Sequence, residues 1–462
     1  MLRVYGLGDP VLDIVARVDH GLLQRLGAEP GGCVPVTAKE MAGLLALPEV
    51  QADVKRVPGG SAANVMKGLA SLAGSSSHGG MNGSSGHGGM NGSSDGGTCS
   101  AGGGTGARLA VHFVGMVGGD DVAEEYERSI AAHGVAPLLL RHSPREATGQ
   151  GGNDSSAAMA ANGSAAAAAQ PTATCLCLVT PDGQRTMRTS LGAALQLRQP
   201  EQLPQPLGGA AGTEAPVQQA GGQQADGQQQ QGQQQPASSD AASSHGASAP
   251  WALLHCEGYC LYRAEVAAAA MRAARAAGAR VSIDLASFEV ICKCWGRLDH
   301  LLQDRLVDIV FCNEQEAQAL CQAAGVALPA DCPADRAVAA AQAYLLSRGA
   351  STVVVSRGSK GCVAKSADGG EARAAAGKVA VVDTVGAGDF CTAGFLYGLL
   401  SGASLQACAL SGCTAGTAAV QVAGAELGPD RLQQLRSAIG SILLAAGPGG
   451  EPAAAAAAAA PS

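Results

Sequence analysis

From Leu253 onward the sequence alternates short apolar runs with Ala- and Leu-rich stretches of helical spacing, and that alternation admits few architectures. Strands are expected at Leu253–Cys256, Arg280–Asp284, Ile309–Cys312, Thr352–Ser356 and Val379–Asp383. Helices are expected at Arg263–Ala277, Leu298–Leu306 and Ala337–Ser347, then from the turn after Asp383 through about Leu400, and at Leu405–Val422. Strands alternating with amphipathic helices build a parallel sheet with helices on both faces. The fold class expected is α/β, a doubly wound, mainly parallel sheet flanked by helices.

The amino-terminal half carries a second pattern. Leu2–Gly8 and Val11–Val18 read as β segments split by Gly8-Asp9-Pro10, and Leu22–Leu26 and Ala38–Leu47 have helical spacing. Val57-Pro58-Gly59-Gly60 breaks the chain, and Ser61 is the expected cap of a helix to about Leu72. A strand at Leu109–Val114 and a helix at Val122–Ala132 follow. Cys175–Val179 and Arg185–Thr189 read as a hairpin around Pro181-Asp182-Gly183. The segments near 11–19, 30–37 and 172–192 are expected to form a small β-sheet lid on the larger sheet.

Four stretches have no such pattern. Residues 74–106, 149–170, 199–250 and 443–462 are almost entirely Gly, Ser, Ala, Gln, Asn and Pro. They read as low-complexity insertions and a tail around a single domain spanning 1–440. The first holds a nine-residue repeat starting at His78 and again at His87, too few copies for a stacked solenoid.

Composition excludes several classes of function. With 30 basic against 38 acidic residues and no basic run, the chain lacks the footprint of a phosphate-backbone binder, and its 3 % aromatic content offers little for base stacking. No run of about 18 apolar residues suggests a membrane span. Fifteen cysteines contain no Cys-x-x-Cys, and an odd count within Ala- and Val-rich segments fits reduced thiols packed as small hydrophobes. A reducing, cytoplasmic setting is expected, since the chain opens on a strand-like run without a targeting pattern.

Three segments carry chemistry. In Val381-Val382-Asp383-Thr384-Val385-Gly386-Ala387-Gly388-Asp389, a small-residue turn opens a helix and leaves backbone N–H groups bare at its positive end. Asp389 in the first turn stands where it can take a proton from a hydroxyl attacking a phosphoryl group. The same residues also suit an ordinary helix start with an acidic first turn. Gly59 and Gly60 before a helix, with Asn64 one turn in, can present N–H groups and an amide to a polyol, or simply start that helix. Asn313-Glu314-Gln315-Glu316 follows a strand directly, and polar residues at the carboxyl ends of parallel strands lie in the ligand crevice.

In order and spacing these segments resemble the ribokinase (pfkB-type) family of sugar and nucleoside kinases. The Asp383-to-Asp389 segment is similar to that family's most specific signature, Gly59-Gly60-x-x-x-Asn64 to its amino-terminal one, and Asn313-x-x-Glu316 to its magnesium-associated motif. Val353 through Gly361 looks like its nucleotide-binding strand and turn. The resemblance implies a ribokinase-like fold and ATP-dependent transfer of the γ-phosphate to a primary hydroxyl. It implies Asp389 as catalytic base and Gly386, Ala387 and Gly388 as anion hole. Asp13, Gly59, Gly60 and Asn64 would hold the acceptor, and Asn313, Ser356, Gly358 and Gly361 would border ATP. Asn313 and Glu316 would position Mg²⁺ through water, and Asp383 and Thr384 would serve a monovalent cation such as K⁺. The opening segment from Gly6 to Asp19 and the run Gly183 to Gly192 lean towards the adenosine-kinase-like branch. The expected partners are ATP and a small sugar or nucleoside, without nucleic acid or membrane, in a monomer or homodimer. Two alternatives remain at this level: a sugar-specific kinase, and a catalytically idle relative serving as scaffold.

Overall fold

The computed structural model describes residues 1–27, 33–74, 106–143, 169–181, 185–208, 250–329 and 331–446. The His78/His87 repeat and most of the low-complexity stretches lie outside the described residues. The chain runs β1 (Leu2–Leu7), β2 (Val11–Arg17), α1 (His20–Arg25), β3 (Cys33–Pro35), α2 (Ala38–Leu45), α3 (Pro48–Gln51), β4 (Val54–Gly59) and α4 (Ser61–Ala73). It continues with β5 (Leu109–Val117), α5 (Asp121–Ala132), β6 (Val135–Arg141), β7 (Ala173–Val179), β8 (Arg185–Ser190), β9 (Trp251–Glu257), α6 (Ala264–Ala276), β10 (Arg280–Asp284) and α7 (Phe288–Gln303). Then come β11 (Ile309–Asn313), α8 (Glu314–Ala323), α9 (Ala334–Ser347), β12 (Thr352–Ser356), β13 (Cys362–Ser366), β14 (Glu371–Ala374), α10 (Ala387–Leu400), α11 (Leu405–Ala419) and α12 (Pro429–Ala446).

Nine strands form the main sheet in the order β14-β13-β12-β11-β10-β9-β1-β5-β6. All neighbours are parallel except β12/β13 and β13/β14, an antiparallel edge. Side chains alternate across the strands, so each face has its own core. Val310, Val353 and Val355 pack on the face covered by α6 to α9, while Ile309, Phe311 and Val354 pack on the face covered by α4 and α10 to α12. This is the doubly wound α/β sheet that the alternation implies.

The second sheet has five strands in the order β3-β8-β7-β2-β4. One face packs Ile14, Leu176 and Leu178 on α1 to α3, and the other gathers Val11, Cys175 and Cys177. Strand β4 is not expected from the sequence, because Pro58 and Gly59 argue against a strand. They are tolerated there because β4 is an edge strand, paired only with β2.

Other expectations are corrected. No strand forms at Val379–Asp383. Val381 and Val382 are exposed, and the N–H groups of Val382 and Asp383 donate to Val420 O at 2.8 and 3.2 Å, at the end of α11. An apolar run is compatible with a strand but does not supply a partner edge. Ser61 does not cap α4; the cap is Gly60, and the Ser61 hydroxyl turns elsewhere. Helix α7 starts ten residues before Leu298, where Ser287 accepts from Val290 N. Strand β6 pairs in parallel with β5 where no strand is expected. The insertion read from residue 199 begins later, since Leu203 and Leu207 are fully buried in the core. The tail read from 443 likewise begins after Ala446, which is buried in α12.

Candidate active site

The carboxyl ends of β1, β9, β10, β11 and β12 open onto one crevice, the ligand side of a parallel sheet. Helix α10 points its amino terminus into it. Gly386 caps that helix with φ 74°, and Gly60 caps α4 with φ 94°, a left-handed backbone that glycine adopts at no steric cost. The Asp383 carboxylate shapes the turn: Oδ1 accepts from Val385 N at 3.0 Å and Oδ2 from Gly424 N at 2.6 Å. Ala387 N donates to Thr384 O at 3.3 Å. The N–H groups of Gly386, Gly388 and Asp389 make no hydrogen bond among the described residues. The bare donors are thus Gly386, Gly388 and Asp389, and the Ala387 N–H is turned to its own turn.

Asp389 lies one helical turn inside this end and is half-buried. Its two oxygens accept from Ser61 Oγ at 2.8 Å and Asn64 Nδ2 at 2.9 Å, both on α4. Burial raises its carboxyl above the usual Asp range, while those two donors and the Lys67 charge pull it back. The result is a carboxylate fixed in direction and made more basic.

Asp13, Gly59, Gly60 and Asn64 come together beside it. The Asp13 carboxylate lies directly over Gly59, occupying the space a Cβ would fill, and Tyr126 Oη donates to Gly59 O at 3.0 Å. The edge of the second sheet and the start of α4 therefore meet at one polar corner.

On the other side of the crevice, Asn313 and Ser356 are register partners at the ends of β11 and β12. Asn313 and Glu316 form a capping box on α8. Asn313 N donates to Glu316 Oε2 at 2.9 Å, Asn313 Nδ2 to Glu316 Oε1 at 2.6 Å, and Glu316 N to Asn313 Oδ1 at 2.9 Å. Gly358 and Gly361 bracket the turn after β12, both with positive φ, and Arg357 within it pairs with Glu314 and Asp335. The backbone at Gly358 faces open space, whereas Gly361 packs on Ala374 O.

Sequence reasoning missed Asp284, Ser61 and Glu257. Asp284 ends β10 between the two halves of the site, where Oδ2 accepts from Thr392 Oγ1 of α10 at 3.1 Å and Oδ1 from Ala286 N at 3.1 Å. Burial and the nearby Asp389 charge push its carboxyl up to about 7. Burial and Asp284 push Glu316 up to about 8. Glu257 at the end of β9 accepts from Asp9 N at 2.7 Å and Ala62 N at 3.0 Å, tying the entry to β2 and the start of α4 to the main sheet. The strand-end rule that flags Asn313 applies equally to Asp284 and Glu257. Ser61 had no signal besides its place next to Gly60.

Residues 218–431 match the pfkB family carbohydrate kinases. The match takes in Asn313, Glu316, Asp383 and Asp389 and leaves residues 1–217 outside it. Its fold is similar to an adenosine kinase from Sinorhizobium meliloti at 24 % identity and a TM-score of 0.63, over 95 % of this chain and 99 % of that one. It is also similar to a probable sugar kinase protein from Rhizobium etli CFN 42 at 22 % identity and 0.63, over 95 % and 98 %. An adenosine kinase from Anopheles gambiae matches at 20 % identity and 0.61, over 92 % and 98 %. No curated protein matches the chain. Among the described residues, no helix is long and apolar enough to cross a membrane.

Proposed function

We propose that the protein transfers the γ-phosphate of ATP to a primary hydroxyl of a nucleoside or sugar, with adenosine the specific acceptor favoured. The observation that carries this reading is Asp389, held by Ser61 and Asn64 beside the bare N–H groups at the start of α10. Asp13, Gly59, Gly60 and Asn64 would hold the acceptor's hydroxyls. Asp389 would take the hydroxyl proton as that oxygen bonds to the γ-phosphorus and the bond to ADP breaks. The N–H groups of Gly386, Gly388 and Asp389 would receive the charge on the phosphoryl oxygens. Asn313, Ser356, Gly358 and Gly361 would border the nucleotide. The three similar folds, two of them adenosine kinases, support the acceptor class.

Mg²⁺ suits the crevice by its donor set. Asp284, Asn313 and Glu316 offer hard oxygen ligands, and the carboxyls of Asp284 and Glu316 are raised first by burial and then by neighbouring carboxylates, a setting that a cation would relieve. Glu316 already accepts from Asn313, so these residues would hold the ion through water. Mg²⁺ when bound supplies neutralisation of phosphate charge. Asp383 and Thr384 would serve a monovalent cation such as K⁺. The Asp383 oxygens accept from Val385 N and Gly424 N, and we draw no step through that ion.

The test is ADP release from Mg-ATP across a panel of nucleosides and free sugars, with Asp389→Asn as the blank. Turnover on adenosine or a sugar that vanishes in the variant supports the proposal. ATP binding with no turnover on any acceptor would leave the scaffold reading in its place.

A further inference from the structure

Strands β2 and β7 lie parallel in the second sheet with Asp13 opposite Cys175 and Val15 opposite Cys177. Residues two apart on a strand share a face, so Asp13, Cys175 and Cys177 project from the same side. The two sulfurs are 3.8 Å apart, and one carboxylate oxygen of Asp13 lies within 4.8 Å of both. Two thiolates bound at about 2.3 Å to a tetrahedral zinc ion stand about 3.8 Å from one another, so the observed spacing is that of a ready tetrahedral edge. Thr189, opposite Cys175 on β8, donates its hydroxyl to Cys175 Sγ at 3.2 Å and braces the first thiol. Such support around a ligand is typical of metal sites.

We propose that Asp13, Cys175 and Cys177 form a binding site for one thiophilic divalent cation of the zinc class. Three protein ligands leave a fourth position for water, as in open zinc sites. Thiolate sulfur selects zinc or cadmium over magnesium, so the site is chemically separate from the Mg²⁺ crevice. Asp13 also belongs to the acceptor corner. A bound ion would withdraw its carboxylate from the acceptor and inhibit the kinase. That consequence rests on the proposed function, whereas the metal site does not.

The experiment is titration of the reduced full-length protein with Cd²⁺, followed by the ultraviolet cadmium–thiolate charge-transfer band, and with Zn²⁺ against a chromophoric chelator. Cys175→Ser, Cys177→Ser and Asp13→Asn are compared with the exposed-thiol control Cys292→Ser. Losing a supporting partner costs about 10–100-fold in metal affinity, so losing a thiolate ligand should cost at least about 100-fold. Cys292→Ser should keep the tight equivalent. Unchanged affinity and stoichiometry in both Cys175→Ser and Cys177→Ser would overturn the site. Should those variants fail to fold, zinc-edge X-ray absorption of the wild-type protein loaded with one equivalent decides: two sulfurs with oxygen neighbours support it, and fewer than two sulfurs refute it. Zn²⁺ that binds without raising the acceptor KM would refute the acceptor role of Asp13 and leave the metal site standing.

Discussion

Glu426 sits at a junction of three elements, and replacing it tests the electrostatic frame beneath the site. Its Oε1 lies 3.1 Å from Lys67 Nζ of α4 and its Oε2 2.9 Å from His133 Nε2 at the end of α5. Lys67 is 3 % exposed and also donates to Pro58 O of β4 at 2.7 Å. Burial alone would raise the Glu426 carboxyl, yet His133 and Lys67 hold it down to about 2, against 4.5 ordinarily. A depression of that size corresponds to about 3 kcal/mol of stability at pH 7. Because the folded-state value is depressed, this stability is present above the unfolded value near 4.5 and is lost as pH falls towards 2. Glu426→Gln keeps an acceptor oxygen but not the charge, and leaves Lys67 a buried cation without its counterion, a change that costs about 3–5 kcal/mol in comparable settings. Urea unfolding followed by far-ultraviolet circular dichroism should show the variant about 3 kcal/mol less stable at pH 7. The gap should narrow to roughly 1.4 kcal/mol at pH 3. A gap below about 1 kcal/mol at pH 7, or one that fails to shrink in acid, would refute the reasoning.

Asp389→Asn should keep the fold and ATP binding while lowering the rate at least about 10²-fold, the usual range for a general base; near-normal turnover would remove that role. Asp284→Asn should raise the Mg²⁺ concentration for half-maximal rate by about tenfold or more, and an unchanged requirement would place the ion elsewhere. Gly68 lets α4 approach α10, since a Cβ there would come within 2.6 Å of Ala393 Cβ. Gly68→Ala should therefore cost about 1–3 kcal/mol by overpacking and slow the reaction by shifting Ser61 and Asn64 from Asp389. A gain of about 1 kcal/mol, as helix propensity alone predicts, would show that the helices can yield.

The fold was legible because its determinants are local. The alternation of Val353, Val354 and Val355 already assigns two buried faces to β12, and the strands Arg280–Asp284 and Thr352–Ser356 form with the bounds read from the sequence. Gly59, Gly60, Asn64 and Asp389 were legible as candidates for the same reason: a helix start with glycine states its own backbone geometry. What the sequence cannot state is which helix starts meet. Ser61 and Asn64 reach Asp389 across 328 and 325 residues, and Glu257 reaches Ala62 across 195. The apolar run at Val379–Asp383 does not form a strand, since Val382 and Asp383 bond to Val420 at the end of α11 instead of a sheet edge, and β4 forms despite Pro58 because it pairs with β2. Asp13, Cys175 and Cys177 become a cluster only through the parallel register of β2 on β7. Local pattern decides which residues bury and where helices begin, because those depend on neighbours a few positions away. Charge, proton affinity and metal-ligand geometry depend on distances between remote residues, and only the tertiary structure brings those to a few ångströms.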